Sequence, residues 1–225
     1  MPRKFDQREY RKIDIRFIEA RMESSGQMIV EGYATTFNQP YTLYEDERGI
    51  FDEQIDRNAF AETDVSDVIM QYDHEGRVFA RTRNETLKIT ADEHGLKIRA
   101  YLGGTEIGRQ LYEEIAGGYT DKMSFGFTVA EDDKKRGKAE DGRVQILRTI
   151  TKIGKLYDVS AVSLPANDAT EISARTTGDG LIAAAMEEIQ AEEEQERAKA
   201  AEAERRSAAL EKLNNLIKEV KQDEV

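Results

Sequence analysis

From residue 122 to 129 apolar and small polar side chains alternate. Met123, Phe125, Phe127 and Val129 take one set of positions, and Ser124, Gly126 and Thr128 take the other. Side chains switch faces at every residue of a strand. The segment therefore predicts a β-strand with one buried face and, on the other, a hydroxyl beside a glycine. The same pattern predicts strands over about 12–22 (Ile13, Ile15, Phe17) and about 27–37 (Ile29, Tyr33, Phe37), around Ser24-Ser25-Gly26. Further strands are expected over about 67–73, 77–83, 85–91, 96–102, 143–150 and 156–163. Gln39–Phe51 reads as a polar, acidic loop, Arg57–Phe60 as a short helical turn, and Glu131–Gly142 as a charged hairpin loop.

Over about 105–116 the apolar spacing lengthens to four, with Ile107, Leu111 and Ile115 on one face. Thr105 is placed to cap this helix and Gly117-Gly118 to end it. Its end leads directly into the Ser124 strand, which it can support from behind. Many short strands with few helices predict an α+β, mainly β fold: an antiparallel barrel with helices around it. Periodicity alone also allows a sandwich. After Ala174 the strand pattern stops. Thr176-Thr177-Gly178-Asp179-Gly180 reads as a linker, and the chain beyond is rich in Ala, Glu, Lys and Arg. That stretch predicts a helical tail with Glu193/Arg197 and Glu202/Arg206 pairs. Ile182, Met186 and Ile189 start one apolar seam, and Leu210, Leu213, Ile217 and Val220 form another. A solvated, intermittently helical tail fits the same composition. The expected organisation is an arm and first strand over 1–26, a domain over 27–174, a linker over 175–180 and a tail over 181–225.

A chain of 225 residues has room for one domain with a core and an appendage. It has no cysteine, which suits a reducing compartment. No apolar stretch of signal-peptide length follows the basic start, and nothing approaches the roughly 20 apolar residues of a membrane span. The net charge of −12 weighs against a general nucleic-acid binder. A soluble, intracellular protein without cofactor is the expectation.

An open serine on a rigid strand suits a nucleophile if a base stands near. It is equally what a surface serine on an amphipathic strand looks like. Only two histidines are available as the base. His94, in Asp92-Glu93-His94-Gly95, falls in a predicted turn; His74, at the end of the run Val68–Asp73, can be held against a neighbouring strand. Asp73-His74-Glu75 does not make a metal site: the carboxylates of a strand would point away from the imidazole, and no cysteine or second well-placed histidine completes a shell. A third member would orient the imidazole. Asp158 interrupts the strand-like run Lys155–Pro165, where a carboxylate facing inward needs a donor; an edge-strand aspartate in water is the alternative. No Gly-x-Ser-x-Gly elbow is present, because Lys122 stands where its first glycine belongs. No phosphate loop or Gly-x-Gly-x-x-Gly is present either.

Taken in order, Glu31–Asn38, Ile55–Phe60, Asp73-His74-Glu75, Ala80–Asn84, Leu87–Leu96, Met123–Phe127 and Val159–Asn167 resemble the prohead (capsid maturation) serine proteases of tailed bacteriophages. That family is related in fold to the herpesvirus assemblins. The resemblance spans about residues 28–170 and implies the assemblin-like barrel. It implies catalytic roles for His74 and Ser124, and an acidic third member, which Asp158 fits. The turn Pro165-Ala166-Asn167 would supply oxyanion donors at Ala166 or Asn167. The implied activity is peptide hydrolysis of scaffold, of scaffolding segments of the major capsid protein, and of the enzyme itself. Its implied setting is the immature capsid in the host cytoplasm, with a homodimer by analogy with assemblins. A catalytically silent assembly or scaffolding protein is the alternative from another class. An esterase or peptidase unrelated to capsids lacks its usual motifs.

Overall fold

A computed structural model describes residues 8–13, 18–162, 178–192, 194–202 and 205–206. Two long strands, β10 (Lys122–Lys138) and β11 (Val144–Val162), form an antiparallel hairpin that organises the larger sheet. On the outer edge of β10 lies β1 (Glu9–Ile13), antiparallel to it. The other edge of β11 carries two partners in succession. Residues 144–150 pair in parallel with β5 (Gly49–Ile55), and residues 158–161 pair in parallel with β6 (Ile69–Tyr72). β4 (Tyr41–Glu45) extends β5, and β7 (Glu75–Arg81) extends β6. The second sheet has the order β2 (Ile18–Met22), β3 (Met28–Thr36), β9 (Gly95–Tyr101), β8 (Leu87–Ala91).

The expected antiparallel barrel is therefore corrected. Among the described residues the sheets are seven- and four-stranded, neither closes on itself, and two of the pairings are parallel. Both sheets instead contribute to one apolar core, with Val30 and Ile98 from the smaller meeting Phe125, Phe127 and Ile150 from the larger. Alternation reports which face of a strand is buried and says nothing about its partner, so an open pair of sheets satisfies the same pattern. Helix α1 (Glu106–Ala116) forms as expected. The Thr105 hydroxyl accepts the Gly108 N–H at 3.1 Å, Leu111 and Ile115 are buried, and Gly118 takes a left-handed φ of 73° just past the end.

Both predicted loops are shorter than expected. Gln39–Phe51 contains β4 and the start of β5, and only Gln39-Pro40 and the turn Asp46-Glu47-Arg48 are irregular. Most of Glu131–Gly142 continues β10, in a ribbon whose cross-strand hydrogen bonds satisfy its backbone out in solvent. The segments expected as separate strands over 143–150 and 156–163 form the single strand β11.

Helix α2 covers residues 178–192 and 194–202, so helix is already present at 178–180, inside the expected linker. Its first turns are folded onto the domain: Ile182 and Ala185 pack in a second apolar cluster with Phe51, Val144 and Ile146. Arg136 on the hairpin pairs with Glu188 and Glu192, and Arg48 with Asp179. Ile15, Phe17, Glu193 and the Leu210–Val220 seam lie outside the described residues.

Between β1, β5, β10 and β11 sits a buried ionic cluster. Glu53, 0% exposed, receives Arg11 and Arg148, each with a contact of 2.9 Å, and the Tyr41 hydroxyl at 2.6 Å. From the rim, Glu9 binds both guanidiniums and Asp132 binds that of Arg148. Removing one partner of such a pair strands the other charge in a medium that solvates it poorly. Burial raises the Tyr41 phenol well above its usual value, and Glu53 adds to this. Burial also works against ionising Glu9 and Asp132, but the guanidiniums outweigh it and hold both carboxyls below their usual range. Because these carboxyls are lowered in the folded state, the unfolded chain takes up protons first on acidification. Their contribution is complete above the ordinary carboxylate range and is lost as pH falls through and below it. The urea midpoint is expected to drop between about pH 5 and pH 3. It should drop less in Arg148→Met, and equal pH slopes in the two proteins would remove the cluster as the cause.

Candidate active site

The register of β10 against β11 sets Ser124 opposite Ser160 and Gly126 opposite Asp158. Residues facing each other across an antiparallel pair point to the same side. The chain therefore collects two hydroxyls and a carboxylate on one face, while Met123, Phe125, Val159 and Ala161 enter the core on the other. Phe125 and Phe127 stack at 4.6 Å and are fully buried, which anchors the strand that carries Ser124.

The third group arrives from β11's far edge. β6 and β7 are joined by a two-residue turn, Asp73-His74, closed by the pair Tyr72 and Glu75. Both turn residues are left-handed, with φ of 47° and 63°. Such tight hairpins need this conformation at both central positions and usually take it with Asn or Gly. Here the strain holds a histidine, a cost of roughly 1–3 kcal/mol for each residue that the surroundings must offset. The Asp73 N–H donates to the Ala161 carbonyl at 3.0 Å and ties the turn to β11. His74 was expected at the end of a strand; it stands instead in the turn beyond that strand.

From there the imidazole spans the other two groups. Its Nδ1 meets Asp158 Oδ1, and its Nε2 lies 2.5 Å from Ser124 Oγ. A carboxylate only accepts, so Nδ1 carries the proton in that contact, and a neutral ring then has Nε2 open to accept the Ser124 proton. The ring edge packs on Tyr10 of β1, with centroids 4.5 Å apart. Asp158 is 1% exposed and Ser124 0%, while the His74 side chain keeps 11%. Ser124 has a second acceptor, the Arg11 carbonyl of β1, at 2.9 Å. A hydroxyl has one proton to donate, so this carbonyl competes with the imidazole for it. The Arg11 side chain on the same strand enters the ionic cluster, which fixes β1 beside the serine.

Gly126 has a steric reason to be glycine. A Cβ there would lie 2.3 Å from Asp158 Oδ2 and 2.8 Å from the Tyr10 ring. The open space beside Ser124 expected from sequence is thus filled by the aspartate and by Tyr10. His94 lies, as expected, in the turn between β8 and β9, where its ring packs against Tyr33 and takes no part in this cluster. Ala166 and Asn167 lie outside the described residues. Ser160 does not stand out in the sequence, although it sits two residues from Asp158 and therefore on the same strand face. Nor do Tyr10 and Arg11, whose place depends on a pairing that no local pattern announces.

The caudovirus prohead serine protease family matches over residues 12–181, most of the chain, and the protein belongs to that family. No curated protein matches. Among solved structures the chain is similar to the bacteriophage T4 capsid assembly protease, with 12% identity and a TM-score of 0.38 over 69% of this chain and 96% of that one.

Gly126→Ala is expected to push the Asp158 carboxylate off His74 at a stability cost of about 1–3 kcal/mol. The downfield Nδ1 proton resonance that a carboxylate-bound histidine gives should shift or vanish in the proton NMR spectrum. An unchanged resonance would mean that the strand accommodates the methyl elsewhere.

Proposed function

We propose that this protein is a serine endopeptidase acting in procapsid maturation. Its substrates on this reading are scaffold, or scaffolding segments of the major capsid protein, and its own chain. The observation that carries the proposal is the continuous contact Asp158–His74–Ser124 in a member of the prohead serine protease family. In the proposed reaction His74 Nε2 takes the Ser124 proton as Oγ attacks the scissile carbonyl. The imidazolium so formed is held by Asp158 and then protonates the leaving amine. Water reverses the sequence on the acyl-enzyme. Ala166 and Asn167 remain the proposed source of oxyanion donors, through their backbone N–H groups.

With β1 in place, Ser124 has no exposed surface and its proton has the competing carbonyl of Arg11. Turnover on this reading needs that carbonyl to yield its position to the substrate. The work would be done inside the immature capsid in the host cell, in line with the prohead family. The α2 helix, rich in glutamate and exposed beyond residue 192, offers a surface for helical scaffold there.

The test is intact-mass spectrometry over time on wild type and Ser124→Ala, each with and without the cognate capsid protein. Fragments confined to wild type are expected, and His74→Ala should lose them as well, with rates down by at least about a thousandfold. Cleavage that persists in both variants would sink the assignment. Folded, intact chains in every sample would favour a silent assembly protein.

A further inference from the structure

We propose that Ser160 is a positioning residue of this reaction, acting through Asp158; the inference rests on the hydrolytic reading above. The Ser160 hydroxyl donates to Asp158 Oδ1 at 3.0 Å, the same oxygen that holds His74 Nδ1. Ser160 is 0% exposed and faces Ser124 directly across the β10–β11 pair. Among the described residues Asp158 Oδ2 has no hydrogen-bond partner and lies against Gly126. All the polar contacts described for the carboxylate therefore fall on Oδ1, and they come from two groups, His74 and Ser160.

That division matters because the terminal torsion of an aspartate is broad and only weakly preferred. Held by the imidazole alone, the carboxylate is anchored by the very group it must orient. Ser160 supplies a second anchor from its own strand, two residues away, whose position does not change when His74 gains or loses a proton. The hydroxyl is not explained by packing. A buried hydroxyl costs free energy unless it is bonded, and alanine or valine would suit a core-lining strand better. Its bond to an ionised acceptor is of the stronger class. Glycine at 126 completes the arrangement by leaving the space in which the other oxygen rests.

The test measures the rate at which a fluorophosphonate labels Ser124, in wild type, Ser160→Ala, Asp158→Ala and the double variant. Melting curves check that all four are folded. Ser160→Ala is expected to slow labelling by about tenfold or more, the worth of one hydrogen bond to a charged group. In the Asp158→Ala background the same change should have no further effect, because the group it positions is gone. Ser160→Cys, which keeps the side-chain size but donates weakly, should slow labelling too, and it carries the comparison if the alanine variant does not fold. Labelling of Ser160→Ala at the wild-type rate overturns the role of Ser160 alone. An equal slowing in both backgrounds overturns it as well, since the effect then bypasses the carboxylate. Absence of Ser124 labelling in wild type removes the hydrolytic reading itself, and this inference with it.

Discussion

The antiparallel pairing of β10 with β11 is the constraint on which the site depends. Its register puts Ser124 beside Ser160 and Gly126 beside Asp158, so the proposed nucleophile, the carboxylate and the hydroxyl that binds it are placed by backbone hydrogen bonds before any side chain chooses a rotamer. A slip of β10 by one residue would turn Ser124 and Gly126 toward the core and expose Met123 and Phe125, away from Asp158 and Ser160. The apolar face thus specifies the polar one. Burying Phe125, Phe127 and Val159 selects the register, and the chemistry follows from it. β11 then does a second job on its other edge, where residues 158–161 hold β6 and so the hairpin that brings in His74.

The ionic cluster has a comparable role for β1. Two guanidiniums and three carboxylates, with the Tyr41 phenol, join Glu9 and Arg11 to Glu53, Asp132 and Arg148. Buried ion pairs add little net stability compared with an apolar core, but they penalise alternative placements heavily. β1 is thereby held where its Arg11 carbonyl meets Ser124 and its Tyr10 ring meets His74.

Much of this was legible where a local period carried the information. The Ser124 strand and the 105–116 helix follow from spacing alone, and a chain with two histidines leaves few candidates to place beside a serine. Asp158 stood out as a charge inside an apolar run. What was not legible is long-range. Periodicity does not say that β11 pairs in parallel with β5 and β6, so a barrel was expected where two open sheets form. Nothing in the local pattern marks Glu53 and Arg11 as buried, because their burial depends on partners distant in the chain. The exposed ribbon of Glu131–Lys138 read as a loop because both its faces are polar, while its order comes from the strand beside it.

The contact between Gly126 and Asp158 also constrains how this kind of chain can diverge. The two positions share one small volume, so neither can drift independently. A longer acid at 158 would carry its oxygens away from Gly126 and relax the demand for glycine there. A side chain at 126 would in turn require a shorter or displaced acid. Among related sequences the two sites should therefore change together, as a linked pair 32 positions apart whose covariation records a steric boundary rather than a shared chemical duty.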